Sequence, residues 1–243
     1  MNSEPPNIWL LGMRPRTLTM AAVPVAVGAV LAWARGADPD WITFIATLAC
    51  AVLIQIGTNL FNDANDGERG ADGPDRIGPV RITGSGLAKP QQVRRAAIAC
   101  FVAALIAGIY LIVVGGLPIL VIGLASLAAG YAYSSGPRPL SHGPFGELYV
   151  IVFFGLVAVA GSYYLQIGQL PDIAVALAGI AIGCYAAAVL LVNNLRDTEA
   201  DLRAGRKTLA GRLGQRSTQW LYGFLVLVPF PMLAAAWGTQ ALG

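Results

Sequence analysis

The chain has 243 residues, of which 56% are hydrophobic and only 12% are charged, and its net charge is +3. A soluble domain carries about 25% charged residues, so this composition excludes an ordinary soluble protein and indicates an integral membrane protein. The polar start, Asn2-Ser3-Glu4, lacks a basic segment. We therefore expect no cleaved signal peptide and a first apolar stretch that stays in the membrane.

Seven apolar stretches come close to the ~20 residues that a membrane-spanning helix needs. They are residues 17–34, 41–61, 96–114, 117–135, 146–166, 172–193 and 218–237. The fourth stretch is the least secure, because only Gly115 and Gly116 separate it from the third. We predict one domain over residues 1–243, an all-α polytopic transmembrane bundle.

Basic residues are distributed unevenly between the two sets of loops. Of the 16 lysines and arginines, all except Arg35 lie in the N-terminus or in residues 62–95, 136–145 and 194–217. The positive-inside rule then places these loops in the cytoplasm. Residues 73–87, in the longest of them, are rich in glycine and turn residues. We interpret them as an ordered lid, with a flexible linker as the alternative.

The first polar interruption ends the second apolar stretch, where Asn59, Asn62, Asp63 and Asp66 follow one another at helical spacing. Residues four apart share one face of a helix, so Asn59 pairs with Asp63, and Asn62 with Asp66. Charged groups within membrane spans are costly and mark functional sites. We predict that this helix face presents oxygen ligands, with Asn59 and Asp63 as substrate contacts.

The second polar interruption ends the sixth stretch, with Asn193, Asn194, Asp197 and Asp201. Two carboxylate clusters at one membrane depth repel each other and would take up protons unless a cation lies between them. Mg²⁺ held by carboxylates commonly shares its coordination shell with substrate phosphates. The sequence therefore predicts two Mg²⁺ ions, one at each motif, that bridge the oxygens of a diphosphate ester.

Basic residues in the same loops complete the predicted diphosphate site. Arginine suits bidentate contacts with phosphate, whereas lysine acts as a point charge. The candidates are Arg76, Arg81, Arg138, Arg196, Arg206 and Lys207. Together with metal they would stabilise a departing diphosphate, while the apolar interior would shield an allylic carbocation and house a long isoprenoid tail.

These motifs resemble those of the UbiA superfamily of intramembrane prenyltransferases. Asn62-Asp63-Ala64-Asn65-Asp66 matches the start of its NDxxDxxxD motif, although Gly70 and then Asp72 stand where the last Asp is usual. Asp197 and Asp201 match its DxxxD motif. The Gly-x-Asp variant, Arg14-Pro15-Arg16-Thr17-Leu18, Asn193-Asn194-Leu195-Arg196-Asp197 and Gly205-Arg206-Lys207-Thr208-Leu209-Ala210 are similar to the branch that prenylates 1,4-dihydroxy-2-naphthoate.

The resemblance, over residues 8–220, implies a reaction and roles for single residues. A polyprenyl diphosphate ionises with Mg²⁺, and its cation replaces the carboxylate of 1,4-dihydroxy-2-naphthoate, with loss of CO₂ and a proton, to give demethylmenaquinone. Asp66, Asp197, Asp201, Arg138 and Lys207 are the implied catalytic residues. The implied metal ligands are Asn62, Asp63, Asp66 and Asp72 at one ion, and Asn194, Asp197 and Asp201 at the other. Arg81 is expected to hold a substrate anion.

Four tyrosines are candidates for stabilising the allylic cation, because aromatic faces attract cations. They are Tyr131, Tyr149, Tyr163 and Tyr164, and packing is the alternative role for each. The resemblance also implies nine spans, two more than these residues contain. Two other functions stay open: a UbiA-type enzyme with another aromatic or lipid acceptor, and a cation-coupled transporter, since intramembrane carboxylates also mark ion pathways.

Overall fold

The computed structural model describes residues 7–68, 78–134 and 139–241, and within these ranges the chain is helical with short connections. The predicted all-α class is confirmed. In chain order the elements are α1 (Ile8–Met13), α2 (Pro15–Ala34), α3 (Trp41–Glu68), α4 (Pro90–Ser134), a 3₁₀ turn (Leu140–His142), α5 (Gly146–Val150), a π-helical segment (Ile151–Val157), α6 (Ala158–Ile167), α7 (Ile173–Arg196), α8 (Thr198–Arg203), α9 (Leu209–Leu227) and α10 (Pro229–Ala241).

Six helical runs in the described ranges are long and apolar enough to cross a membrane, as expected of a multi-pass membrane protein. The sequence predicts seven spans, and the difference lies in α4. Gly116 interrupts α4 with φ 64° and ψ −151°, a conformation that favours glycine, and Pro118 follows two residues later. We call residues 90–115 the first arm of α4 and residues 117–134 its second arm; they correspond to the third and fourth predicted spans.

Side chains just before the helices satisfy the first free N–H groups. The carboxylate of Asp40 accepts from the N–H of Thr43 at 3.0 Å, and that of Asp172 accepts from Val175 at 3.0 Å. Such N-caps typically contribute about 1 kcal/mol each. The sequence therefore fixes where α3 and α7 begin, and the polar residues in their last turns are carried to the opposite end of the bundle.

Glycines let the central helices approach backbone to backbone. A Cβ atom built on Gly155, in the π-helical segment, would lie 2.4 Å from the carbonyl oxygen of Gly179 on α7. A Cβ on Gly183 would lie 2.7 Å from the carbonyl oxygen of Ile151. Small residues at helix interfaces are typical of membrane proteins, where close van der Waals packing drives association. This glycine contact sets α5 beside the end of α7.

Loops that the charge distribution assigns to one side meet at one end of the bundle. Arg35 pairs with Asp172 at 2.8 Å, and the amide of Gln166 donates to the carbonyl oxygen of Asp40 at 3.1 Å. At the other end, the N–H of Lys207 donates to the carbonyl oxygen of His142 at 2.8 Å. The last turns of α3 and α7 lie at this second end.

Candidate active site

The first motif occupies the last turns of α3, and three of its residues line an internal cavity: Asn59, Asn62 and Asp66. The amide nitrogen of Asn59 donates to the carbonyl oxygen of Met13 at 3.0 Å and to the hydroxyl of Thr17 at 2.9 Å. Asn59 therefore ties α3 to the junction of α1 and α2. Its role is partly structural, in addition to its predicted contact with substrate.

Asp63 lies elsewhere, since it is buried and is absent from the cavity wall. Its two carboxylate oxygens accept from the backbone N–H groups of Ile82 at 3.0 Å and Thr83 at 2.8 Å. Both oxygens are thus engaged in holding the loop after the first motif. We therefore assign Asp63 to loop anchoring rather than to the predicted roles of metal ligand and substrate contact.

The anchored loop carries Arg81 to the cavity, as the sequence predicts. Arg81 is buried and lines the cavity wall, and its guanidinium group donates to Asp66 at 3.2 Å. A turn follows, in which the N–H of Ser85 donates to the carbonyl oxygen of Arg81 at 3.0 Å. The described part of the predicted lid, residues 78–87, is therefore folded around Arg81.

The second motif spans the end of α7 and the short helix α8. Asn193, Asn194, Asp197 and Asp201 all line the same cavity as the first motif. Arg196 also lines it and forms a two-pronged ion pair with its neighbour Asp197, at 2.8 and 2.9 Å. The structure therefore brings the two predicted motifs into one site.

Arg206 connects the two motifs directly. Its guanidinium group forms an ion pair with Asp66 on α3, and a second one with Asp201 on α8 at 3.3 Å. The side chain of Arg206 is 14% exposed, and that of Asp66 only 4%. Charge-assisted hydrogen bonds in such a poorly hydrated place are strong and directional. Asp66 therefore accepts hydrogen bonds from both Arg81 and Arg206, two residues that the sequence predicts as contacts of the diphosphate.

The cavity has a volume of about 850 Å³, with a polar end and an apolar end. The two motifs form the polar end. Leu111 and Ile119 in the two arms of α4, together with Leu165 on α6, form a buried cluster that closes the apolar end. A space of this size and character suits a ligand with a charged head and a long hydrocarbon tail.

Aromatic rings line the passage between the two ends. Tyr133 and Tyr149 stack with centroids 5.4 Å apart, and Tyr149 and Phe153 follow at 4.6 Å. All three side chains belong to the cavity wall. Of the four predicted tyrosines, Tyr149 therefore lies on the cavity wall, and Tyr133 and Phe153 extend its aromatic surface.

The other three predicted tyrosines are not part of the cavity wall. Tyr131 is 55% exposed and packs edge-on against Phe61. Tyr163 is buried near the opposite end of the bundle, where its hydroxyl accepts from Arg35 at 2.9 Å. Tyr164 packs against the cluster that closes the apolar end. These positions correspond to the packing role that the sequence leaves as the alternative.

Four further predicted residues are not among the described residues that line the cavity. Asp72, Arg76 and Arg138 lie outside the described residues. Lys207 is exposed and is absent from the cavity wall, although its backbone is fixed to His142 beside the site. Lys207 therefore stands outside the polar end of the cavity, while Arg206, the preceding residue, points into it.

Sequence reasoning missed three residues near the site: Arg14, Tyr133 and Glu147. Arg14 lines the cavity with φ 52°, a left-handed conformation that is strained for a residue with a Cβ atom. Glu147 is buried in the first turn of α5 and accepts from the amide of Asn194 at 2.9 Å. A carboxylate inside an apolar stretch is a signal that could have singled out Glu147 from the sequence.

The oxygen donors at the polar end fit a divalent cation that shares its ligands with a substrate. Among the described residues, no three histidine, cysteine or acidic side chains converge as a metal site by themselves. Asp66, Asp197 and Asp201, with the amides of Asn62 and Asn194, do line one cavity, and hard oxygen donors suit Mg²⁺. Phosphate oxygens would have to complete the shell, as is usual for Mg²⁺.

An all-helical bundle with membrane-spanning helices holds a site of carboxylates and arginines beside an apolar cavity, an arrangement typical of intramembrane enzymes. The chain belongs to the UbiA prenyltransferase family, whose model matches residues 21–243. It is a prenyltransferase by that membership.

Curated relatives in the family match almost the whole chain. The 1,4-dihydroxy-2-naphthoate octaprenyltransferase of Mycobacterium tuberculosis is 41% identical over 240 residues, which are 96% of this chain and 81% of the relative. The enzyme of the same name from Escherichia coli is 37% identical over 232 residues, 93% of this chain and 75% of the relative.

Solved structures agree with the fold. A UbiA homologue from Archaeoglobus fulgidus, bound to GPP and Mg²⁺, aligns with a TM-score of 0.68 at 19% identity. The alignment covers 95% of this chain and 77% of that one. At this level of identity the comparison supports the helical architecture alone.

Proposed function

We propose that the protein transfers a polyprenyl group from a polyprenyl diphosphate to 1,4-dihydroxy-2-naphthoate, with Mg²⁺, releasing CO₂ and diphosphate. The observation that carries this proposal is the ion pair network of Asp66, Arg206 and Asp201 at the polar end of an apolar cavity. The relatives named as 1,4-dihydroxy-2-naphthoate octaprenyltransferases favour this acceptor over other aromatic or lipid acceptors.

The charges at the polar end can exchange partners when substrate binds. Arg81 and Arg206 now neutralise Asp66, and Arg196 neutralises Asp197. A diphosphate would take the guanidinium groups, which suit bidentate contact with phosphate, and leave the carboxylates to two Mg²⁺ ions. Bound Mg²⁺ would supply Lewis-acid stabilisation of the diphosphate as it leaves.

Ionisation of the substrate breaks the bond between the allylic carbon and the diphosphate oxygen, and the electron pair leaves with the diphosphate. The guanidinium groups of Arg81 and Arg206 face the charge that develops on that leaving group. The stacked rings of Tyr133, Tyr149 and Phe153 lie deeper in the cavity, where the allylic cation would form. Their faces stabilise a cation, and the apolar walls beyond them exclude water that would quench it.

The acceptor ring then supplies the electron pair for the new carbon–carbon bond at the carbon that bears the carboxylate. Loss of CO₂ returns an electron pair to the ring and restores its aromaticity. The ring therefore keeps its oxidation state, and the product is a hydroquinone. The immediate product is demethylmenaquinol, and demethylmenaquinone is its two-electron oxidised form.

The cellular placement follows from the charge distribution. The basic loops lie at the same end of the bundle as the two motifs, and the positive-inside rule supports a cytoplasmic site. We propose that the membrane is the plasma membrane. Its cytoplasmic face gives access to Mg²⁺ and to charged diphosphates. Exposed apolar side chains on both arms of α4 then face lipid.

Purified protein in nanodiscs tests the proposal when it is supplied with a polyprenyl diphosphate and 1,4-dihydroxy-2-naphthoate, with and without Mg²⁺. Product is followed by mass spectrometry, and Asp66→Asn and Asp197→Asn are the test variants. We expect Mg²⁺-dependent demethylmenaquinol that both substitutions abolish. Tyr131→Leu, on the exposed face of α4, is the matched control and keeps activity.

Other outcomes separate the alternatives. Prenylation of 4-hydroxybenzoate but not of the naphthoate would overturn the acceptor and keep the transferase. Absence of any prenyl transfer, with cation uptake into proteoliposomes that needs Asp66 and Asp197, would favour a transporter.

A further inference from the structure

Glu147 is a buried carboxylate that the proposed reaction does not use. It lies in the first turn of α5 with 4% of its surface exposed, and it is absent from the cavity wall. One oxygen, Oε1, accepts from the amide nitrogen of Asn194 at 2.9 Å. The other, Oε2, has no hydrogen-bond partner among the described residues.

An incompletely satisfied buried carboxylate lowers the stability of a fold, because its lost hydration is not replaced. An apolar residue of the same size would pack in this place at lower cost. The only described side-chain hydrogen bond of Glu147 goes to the second motif. Its position therefore indicates a role in the site rather than in folding.

The hydrogen bond fixes which way the amide of Asn194 faces. In the structure the amide nitrogen of Asn194 is the donor, and an oxygen of Glu147 accepts. The amide is trigonal, so its oxygen Oδ1 must then point away from Glu147. Asn194 lines the same cavity as Asp197 and Asp201, so an oxygen that points away from Glu147 is available to the polar end.

The backbone around Glu147 packs closely against α7. The glycine contact between the π-helical segment and α7, at Gly155 and Gly183, holds the two elements within van der Waals distance. A Cβ built on Gly146, the neighbour of Glu147, would lie 3.5 Å from Leu190, one turn before Asn194. The end of α7 that carries Asn194 therefore lies close to α5 at Glu147.

We propose that Glu147 is a positioning residue that orients Asn194, so that its amide presents oxygen and not N–H to a divalent cation in the second motif. The proposal rests on the proposed function, which places a metal ion there. Groups that orient metal ligands from behind commonly change metal affinity or activity about 10- to 100-fold when they are removed. An amide free to rotate would turn its N–H groups to the cation for part of the time.

Mn²⁺ binding to the purified protein in the presence of an unreactive prenyl diphosphate analogue, which supplies the phosphate oxygens of the shell, tests the role without turnover. Free Mn²⁺ is followed by its electron paramagnetic resonance signal, and a sample without protein corrects for Mn²⁺ bound by the analogue alone. Glu147→Leu should weaken Mn²⁺ binding about 10-fold or more, and it should keep or raise the thermal midpoint of unfolding. Glu147→Gln still offers the amide of Asn194 an acceptor oxygen, so its Mn²⁺ affinity should fall much less. In an Asn194→Ala background, Glu147→Leu should have no further effect on Mn²⁺ binding.

Each outcome decides between specific alternatives. Wild-type affinity in Glu147→Leu, or equal and additive losses in both backgrounds, would overturn the positioning role and leave the metal site intact. Absence of Mn²⁺ binding by the wild-type protein would overturn the metal site and the positioning role together. If Glu147→Leu does not fold, Glu147→Gln decides, because a loss as large as that of Asn194→Ala contradicts an acceptor role.

Discussion

Asp66 and Arg206 form an ion pair across 140 residues of sequence. Asp66 closes the first half of the bundle, at the end of α3, and Arg206 follows α8 in the second half. Because Arg206 also reaches Asp201, one guanidinium group holds the two acidic motifs at a fixed separation.

Replacing Arg206 therefore tests whether this connection serves catalysis. Arg206→Gln should lower kcat/KM for the prenyl diphosphate about 100-fold, the usual scale for a lost donor to a developing anion. Arg206→Lys should recover only part of the loss, since a point charge does not span Asp66 and Asp201. Arg216→Gln, on the exposed surface of α9, is the matched control, and an equal loss there would contradict the assignment.

Asp63 and Asp66 should behave differently although they lie one helical turn apart. Asp63→Asn places an amide N–H against a backbone N–H of the loop, so we expect about 1–3 kcal/mol of lost stability and a lower thermal midpoint. Asp66→Asn should also lower the midpoint, because Arg81 and Arg206 lose the charge that they share. It should in addition abolish turnover, whereas Asp63→Asn should keep turnover at temperatures where it is folded. Thermal unfolding in detergent and product formation, measured on both variants, distinguish loop anchoring from catalysis. Equal effects on both readouts would refute the separation.

The row of three aromatic rings on the cavity wall, Tyr133, Tyr149 and Phe153, predicts that Tyr149 contributes to the rate of prenyl transfer. Tyr149→Leu removes the central ring between Tyr133 and Phe153, and a desolvated cation–π contact of about 2 kcal/mol corresponds to about 30-fold in kcat. Tyr149→Phe keeps the ring and should stay near wild type. Tyr164→Leu, outside the cavity wall, serves as the control in single-turnover measurements. Loss in Tyr149→Phe equal to that in Tyr149→Leu would instead assign the role to the hydroxyl.

Gly108 and Gly123, on the two arms of α4, predict how the cavity accommodates the tail. Both line the cavity, and a Cβ atom on either would meet open space. The phenyl groups of Gly108→Phe and Gly123→Phe should fill that space. We expect kcat/KM to fall about 10-fold or more for long-chain diphosphates and to stay unchanged for short-chain ones.

Gly223 on α9 supplies the control for this experiment. A Cβ there also meets open space, but the residue is absent from the cavity wall. Gly223→Phe should therefore change kcat/KM by the same factor for short-chain and long-chain diphosphates. A chain-length profile unchanged in the two cavity variants would place the tail elsewhere.

Acid should weaken the end of the bundle opposite the site. Burial disfavours the charged form of Asp172, but hydrogen bonds from Val175 and Arg35 outweigh it and hold the pKa of Asp172 below its ordinary value. The stability it contributes is present above the unfolded pKa of about 3.9 and is lost as pH falls through the lower folded pKa. Between about pH 5 and pH 3, the thermal midpoint should fall more for wild type than for Asp172→Asn.

Local patterns were enough to predict much of this fold. Apolar stretches of spanning length located the helices, and the charge distribution showed which loops share an end, because both depend on the bilayer more than on tertiary contacts. Helical spacing likewise placed Asn62 and Asp66 on the cavity wall. The break in α4 at Gly116 lies at the short connection that the sequence predicts between the third and fourth spans.

Roles that depend on long-range contacts could not be predicted. Asp63 and Asp66 have the same local context, and only the folded loop shows that Asp63 accepts from Ile82 and Thr83. The tyrosines differ in the same way, because an apolar span gives no signal for which face looks inward. The contact of Glu147 with Asn194 depends on the packing of α5 against α7, which no local sequence pattern specifies.

The exposure of cavity-lining side chains on both arms of α4 has a consequence for how rates should be expressed. Leu105 and Leu124 line the cavity and are also 45% and 55% exposed on the surface of the bundle. A tail can therefore enter from, and a product return to, the hydrocarbon of the bilayer. Such an enzyme would sense the mole fraction of substrate among lipids, so adding empty vesicle lipid that mixes with the membrane should slow it at constant total substrate.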